Sequence, residues 1–156
     1  MTIMGTRVLR KEDPKFLTEG ARYTADLDDP RLAGAVHATF VRSFVANGRV
    51  VSVDVDEARE MPGVVAVFTG ADLPEGLMLP GVVPMFPPAL LDRPLLARDQ
   101  VRFAGEAVVV VLTEERQQGE DAAEAVFADI EPLAAVVDLE AAARDEVVIV
   151  TEHGTN

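Results

Sequence analysis

The chain has 156 residues, 49% of them hydrophobic and 26% charged, which is the size and balance of one soluble globular domain that needs no covalent staples. Its 14 basic and 27 acidic residues leave a net charge of -13. There is no basic stripe for a nucleic-acid groove or an anionic membrane surface. Cysteine is absent, which excludes disulfides, thiolate metal sites, Cys-ligated iron–sulfur clusters and cysteine nucleophiles from this chain.

The opening residues pass straight into Arg7, Arg10, Lys11 and Glu12 with no apolar signal region. The longest uncharged run, residues 76–91, holds four prolines and is too short and broken to span a membrane. A cytoplasmic acidic domain is expected. Residues 1–78 hold 9 basic and 12 acidic groups and residues 79–156 hold 5 and 15, so the acidity is concentrated in the second half. That pattern reads as a solvated face, with an interface to a basic partner as the other reading.

In chain order, the first twenty-five residues show no clear period, and Asp26 to Pro30 reads as a turn. Residues 35–41 alternate as a strand that places Val36, Ala38 and Phe40 on one side. Asn47-Gly48 is a turn signal, followed by Val51, Val53 and Val55 on one face of a second strand, so the two strands suggest a hairpin. Asp56 to Glu60 forms a short helix with acids in its first turn, stopped before Pro62. Val64 to Phe68 is a short buried strand that ends at Thr69-Gly70-Ala71-Asp72.

Residues 74–94 carry six of the ten prolines and make a long irregular loop. Residues 107–112, with four consecutive valines, predict a central strand buried on both faces. A helix follows over 114–125, weakened by Gly119 and packed through Ala122, Ala123 and Ala125. Residues 126–130 return as a strand, which implies a right-handed crossover. A short helical turn at 139–143 and the apolar residues 147–150 complete the chain. The expected class is α+β, with a mixed sheet and one or two packed helices.

Candidates for chemistry are few. His37 and His153, the only histidines, have no metal-ligand spacing. Asp26, Asp28 and Asp29 lack the glycine and distant glutamate of a calcium loop. Glu114, Glu115, Glu120, Asp121 and Glu124 fall on the solvent face of a helix. Ser43 and Ser52 sit in no nucleophile elbow, and no phosphate-binding glycine loop is present. Arg42-Ser43 and Arg102-Phe103 could bind anions, with one arginine each. The residues alone reveal no active site.

Several blocks nevertheless resemble one family. Gly5-Thr6-Arg7-Val8-Leu9-Arg10-Lys11-Glu12-Asp13 and Phe16-Leu17-Thr18-Glu19-Gly20-Ala21-Arg22-Tyr23 are followed by His37-Ala38-Thr39-Phe40-Val41-Arg42-Ser43. Then come Met61-Pro62-Gly63-Val64-Val65-Ala66-Val67-Phe68-Thr69-Gly70-Ala71-Asp72-Leu73, Arg93-Pro94-Leu95-Leu96-Ala97 and Val101-Arg102-Phe103-Ala104-Gly105-Glu106-Ala107-Val108. Together with Glu120 to Leu133 and the closing Gly154-Thr155-Asn156, these resemble, in order, the start of the molybdenum-containing subunit of the xanthine dehydrogenase, aldehyde oxidase and aerobic carbon monoxide dehydrogenase family.

The resemblance covers residues 4–156 and implies a single a/b hammerhead domain, with an ordered core over 4–150 and an exit linker over 151–156. It implies an N-terminal scaffold or assembly domain of a molybdenum hydroxylase, inactive alone. No catalytic, cofactor or metal residue is expected in this chain. A molybdopterin cofactor would belong to the rest of the subunit, and iron–sulfur clusters and FAD to partner subunits. Arg42, Gly105 and Glu106 are expected to serve the fold, Glu106 through a hydrogen bond or ion pair near the start of a strand. Met78, Met85 and Phe86 in the 74–94 loop are the expected docking surface, beside the reading that the loop covers its own core.

The family's usual Pro-His-Ala-His after Arg-Ser is replaced here by Phe44-Val45-Ala46-Asn47. If those histidines help to dock neighbouring domains, this chain docks differently. The departure also leaves open a stand-alone acidic binding or assembly protein that kept the fold without enzyme activity.

Overall fold

Four valines in a row, Val108 to Val111, cannot present either side of a strand to water without loss, at about 25 cal/mol for each Å² of apolar surface. The chain answers by placing them in the middle of a sheet. The computed structural model describes residues 9–21, 23–27, 29–80 and 92–156. It separates into two units, Met1–Ala35 and Val36–Asn156.

Among the described residues of the first unit are the helix α1 (Asp13–Thr18) and the single 3-10 turns Thr24–Asp26 and Pro30–Leu32. Pro14 occupies the first turn of α1, where its missing N–H costs nothing. That helix is too short for a hydrophobic period, and the sequence analysis finds none there. Asp29 caps the second 3-10 turn by accepting from the Arg31 N–H at 2.9 Å.

The second unit runs β1 (His37–Arg42), β2 (Gly48–Asp54), α2 (Asp56–Glu60), β3 (Val64–Thr69), β4 (Met78–Leu79), β5 (Arg93–Pro94), β6 (Gln100–Val101), β7 (Ala107–Thr113), α3 (Arg116–Glu124), β8 (Phe127–Pro132) and α4 (Leu139–Ala143). One sheet has the order β1-β7-β3 and a second the order β6-β2-β8, while β4 and β5 form a two-residue ladder. The α+β class holds. The mixed sheet does not, because every described ladder is antiparallel.

Two further expectations change. β1 and β2 are not a hairpin: β1 pairs with β7, and β2 pairs with β6 and β8. Asn47-Gly48 turns the chain from one sheet to the other without a positive φ at either residue. Asn47 is buried, donates Nδ2 to Ala134 O at 2.6 Å and accepts from Gln100 Nε2 at 2.8 Å. A Cβ on Gly48 would lie 2.6 Å from the Ile130 methyl, so this glycine answers a close approach. Nor do β7, α3 and β8 form a crossover within one sheet, since β7 and β8 belong to different sheets.

The register fixes which face of the first sheet is inward. Thr39, Val111 and Val67 stand in one row, and Phe40, Val110 and Phe68 in the next row point to the opposite side. Helix α3 lies on the Thr39 side, where a Cβ on Gly119 would come within 2.3 Å of Thr39 Oγ1 and 3.2 Å of Thr113 Oγ1. Gly119, read from the sequence as a weakness of the helix, is what lets the helix approach the sheet. The buried cluster includes Val67, Val108, Val109, Val111 and Ala122. Val36 and Phe40, the face marked out by the alternation, are exposed by 43% and 41%.

Gly119→Val should therefore lower the stability of the chain by about 2 kcal/mol through overpacking. Chemical denaturation measures it, and an unchanged midpoint would mean that α3 does not sit this close to Thr39.

Candidate functional site

The residues singled out from the sequence meet where β1 ends and β7 begins. Ser43 N–H donates to Glu106 O at 2.8 Å, and Gly105 N–H donates to Ser43 O at 2.7 Å. Arg42 adds a third link by donating Nη1 to Gly105 O at 2.8 Å, with its guanidinium carbon 5.4 Å from the Phe40 ring centroid. Gly105 has φ +94°, a left-handed backbone that a side chain would strain. The structure thus brings Arg42, Gly105 and Glu106 together. Met78 lies in the β4–β5 ladder opposite Pro94. Met85 and Phe86 lie outside the described residues.

Glu106 is 4% exposed. Its Oε2 accepts the Arg102 backbone N–H at 2.5 Å, so the carboxylate closes its own 102–106 turn. Its Oε1, like Arg102 Nε, is buried with no hydrogen-bond partner among the described residues. Burial pushes the carboxyl above the usual carboxylate range. The Arg102 N–H, the Arg102 charge, the Phe103 N–H and the Arg93 charge pull the other way. Arg102 sends Nη2 to Glu152 Oε1 at 2.7 Å, which ties this turn to residues near the end of the chain.

Two hollows flank the motif. The larger, of about 620 Å³, runs between residues 73–78 and 98–102 and takes in Met78, Glu152 and His153. Its lining mixes Arg98 and Arg102 with Glu75, Asp92, Asp99 and Glu152, so it holds no single sign of charge. The smaller, of about 210 Å³, is lined by Phe40, Arg42, Arg93, Phe103 and Glu106 among others. His37 is exposed at the start of β1, and His153 is exposed as well. Among the described residues no three histidine, aspartate or glutamate side chains gather to hold a metal ion. No helix among them is long and apolar enough to cross a membrane.

The residues closing the chain do not trail away. Thr155 Oγ1 donates to Asp145 Oδ1 at 3.0 Å, and Asn156 N–H donates to the same oxygen at 2.9 Å. Asn156 Nδ2 reaches Val147 O at 2.6 Å, and its Oδ1 accepts from Ile149 N at 2.8 Å. Asp145 takes φ 52° to make this clasp. The closing Gly154-Thr155-Asn156 block is visible in the sequence, but its partners are not, because Val147 and Ile149 take part through their backbone and Asp145 is an ordinary loop residue.

The family model for the aldehyde oxidase and xanthine dehydrogenase a/b hammerhead domain matches residues 18–134. The chain belongs to that family. The hammerhead is 38% identical over 139 residues to the nicotine 6-hydroxylase large subunit of Paenarthrobacter nicotinovorans, covering 87% of this chain and 16% of that one. It is 35% identical over 144 residues to the xanthine dehydrogenase molybdenum-binding subunit of Escherichia coli O157:H7, covering 88% and 18%. Among solved structures, quinoline 2-oxidoreductase from Pseudomonas putida 86 matches with a TM-score of 0.75 and 39% identity, over 97% of the hammerhead and 19% of that chain. The hammerhead thus spans less than a fifth of the length of these relatives.

For a group whose value is raised by burial, the folded chain retains a proton that the unfolded chain has released, once the pH passes the ordinary carboxylate value. Stability contributed by Glu106 should therefore fall as pH climbs from that value through the raised one, and stay flat above both. Glu106→Gln removes the titration. Urea unfolding at stepped pH should show the native chain losing stability relative to the variant across that window. Parallel curves would refute the burial argument.

Proposed function

We propose that this chain is the scaffold domain of a molybdenum hydroxylase of the xanthine, aldehyde or carbon monoxide dehydrogenase type. The observation that carries the reading is proportion: the hammerhead matches under a fifth of each relative, and one of those relatives is named as a molybdenum-binding subunit. In this reading the remainder of the subunit holds the molybdopterin cofactor, and partner subunits hold iron–sulfur clusters and FAD. Substrate oxidation belongs to that assembly.

The residues present here do not fit a molybdopterin. The larger hollow is lined by Glu75, Asp92, Asp99 and Glu152 beside Arg98, Arg102 and His153, with Arg102 paired to Glu152, so a phosphate there would meet more carboxylates than guanidinium ions. Like charges at such range repel, and no metal-holding cluster compensates among the described residues. Arg42, Gly105 and Glu106 act on the fold, by fastening β1 to the turn that starts β7. Met78, 40% exposed beside the larger hollow, is the described part of the docking surface expected from the 74–94 loop.

The test is a native pull-down of the tagged protein from its own cells, with molybdenum, iron and flavin assayed in the eluate. Recovery of all three with larger partners is expected. Recovery of the chain alone and free of metal would overturn the reading in favour of a stand-alone acidic relative.

A further inference from the structure

The first sheet has a face that water does not suit. Antiparallel sheets with one wet side carry polar residues outward. Here the side opposite α3 presents Ala38 and Phe40 from β1, Val110 and Leu112 from β7, and Ala66 and Phe68 from β3. Phe40 and Phe68 flank Val110 in a single row, exposed by 41% and 39%. The row runs into the smaller hollow, which Phe40 and Glu106 both line. At about 210 Å³ that hollow suits one inserted side chain and falls below the usual range for a cofactor site. Glu106 brings to it a buried carboxylate whose Oε1 lacks a donor among the described residues.

We infer that the Phe40–Val110–Phe68 face is an internal interface of the molybdenum-binding subunit, covered by the remainder of that same subunit, which sends a hydrogen-bond donor into the hollow beside Glu106. This deepens the scaffold reading and rests on it. The occupant follows from length: more than four-fifths of each matched relative has no counterpart in this chain. An apolar row with an acceptor at its edge suits a folded neighbour with a matching apolar patch and one placed donor. A small ligand would meet too little enclosure, and a polar partner would strand the phenylalanines.

The experiment uses the native assembly from the pull-down. Hydroxyl-radical footprinting gives a protection factor for each phenylalanine, as the ratio of its oxidation rates in the urea-unfolded and native states. Burial in an interface core predicts protection of Phe40 and Phe68 well beyond the roughly two- to threefold that rings exposed by 41% and 39% give on their own. In parallel, p-benzoylphenylalanine in place of Phe40 is photolysed in the assembly, and the cross-linked peptide is sequenced. A peptide from the same subunit, outside these 156 residues, is expected. Low protection in an assembly that carries molybdenum, iron and flavin would overturn the interface and leave the scaffold reading intact. A cross-link within residues 1–156, to a second copy, or to an iron–sulfur or flavin subunit would equally overturn it. Recovery of the chain alone defeats the scaffold reading itself.

Discussion

The burial of β7 is the constraint on which the second unit depends. Val108, Val109 and Val111 are each at most 1% exposed, so both faces of one strand must be covered. On the edges β1 and β3 take its backbone groups, and above one face α3 approaches closely because residue 119 has no side chain. On the other face the cover is uneven. Val108 is buried near the end where Ala97 N–H binds Ala107 O at 2.7 Å, while Val110 and Leu112 farther along are only half-buried. The strand is finished by its own chain at one end and left unfinished at the other.

The turn that feeds β7 explains how a carboxylate comes to be buried with no salt bridge among the described residues. A 102–106 turn ending in a left-handed glycine needs an acceptor for the Arg102 N–H, and Glu106 supplies one from its own side chain. Sinking a charged group costs several kcal/mol unless it is well paired. One oxygen is satisfied, and the other has no donor among the described residues. The backbone bonds to Ser43 on the far side keep the turn in place against that cost, because they join it to β1 across 63 residues of sequence. A perturbed carboxyl in a hollow invites a catalytic reading. Here Oε2 is committed to its own turn, and the hydroxyl of neighbouring Ser43 is engaged in donating to Val45 O at 2.9 Å.

Much of this was legible in the sequence, wherever local chemistry decides. The acids of Asp56 and Glu57 with the stop at Pro62, the valine run of β7, and the short helical turn of α4 over Leu139–Ala143 all act over a few residues. Pairing was not legible. Asn47-Gly48 has the composition of a hairpin turn, yet Asn47 spends its amide on Ala134 and Gln100, 87 and 53 residues away. The alternation in β1 marks two faces but cannot say which one faces in. The inner one turned out to carry Thr39, a polar side chain admitted because it fits against Gly119. The Arg42, Gly105 and Glu106 motif became visible only through the family resemblance, and its hydrogen bonds only through the fold.

The same logic changes the meaning of the departure at Val45 and Asn47. These positions stand where the resembling family carries histidines, and their loss from a docking surface would alter how the domain meets its neighbours. Both turn inward instead. Val45 packs against the buried cluster, and Asn47 is 4% exposed with its amide bonded at both ends. A neutral histidine offers one donor and one acceptor, and an asparagine amide offers both in less volume. Asn47 thereby joins the start of β2, the start of β6 and the segment after β8. The residue that faces outward in this stretch is Phe44, 84% exposed. Residues 44–47 thus sit at the junction between the two sheets, with Val45 and Asn47 turned inward and Phe44 outward.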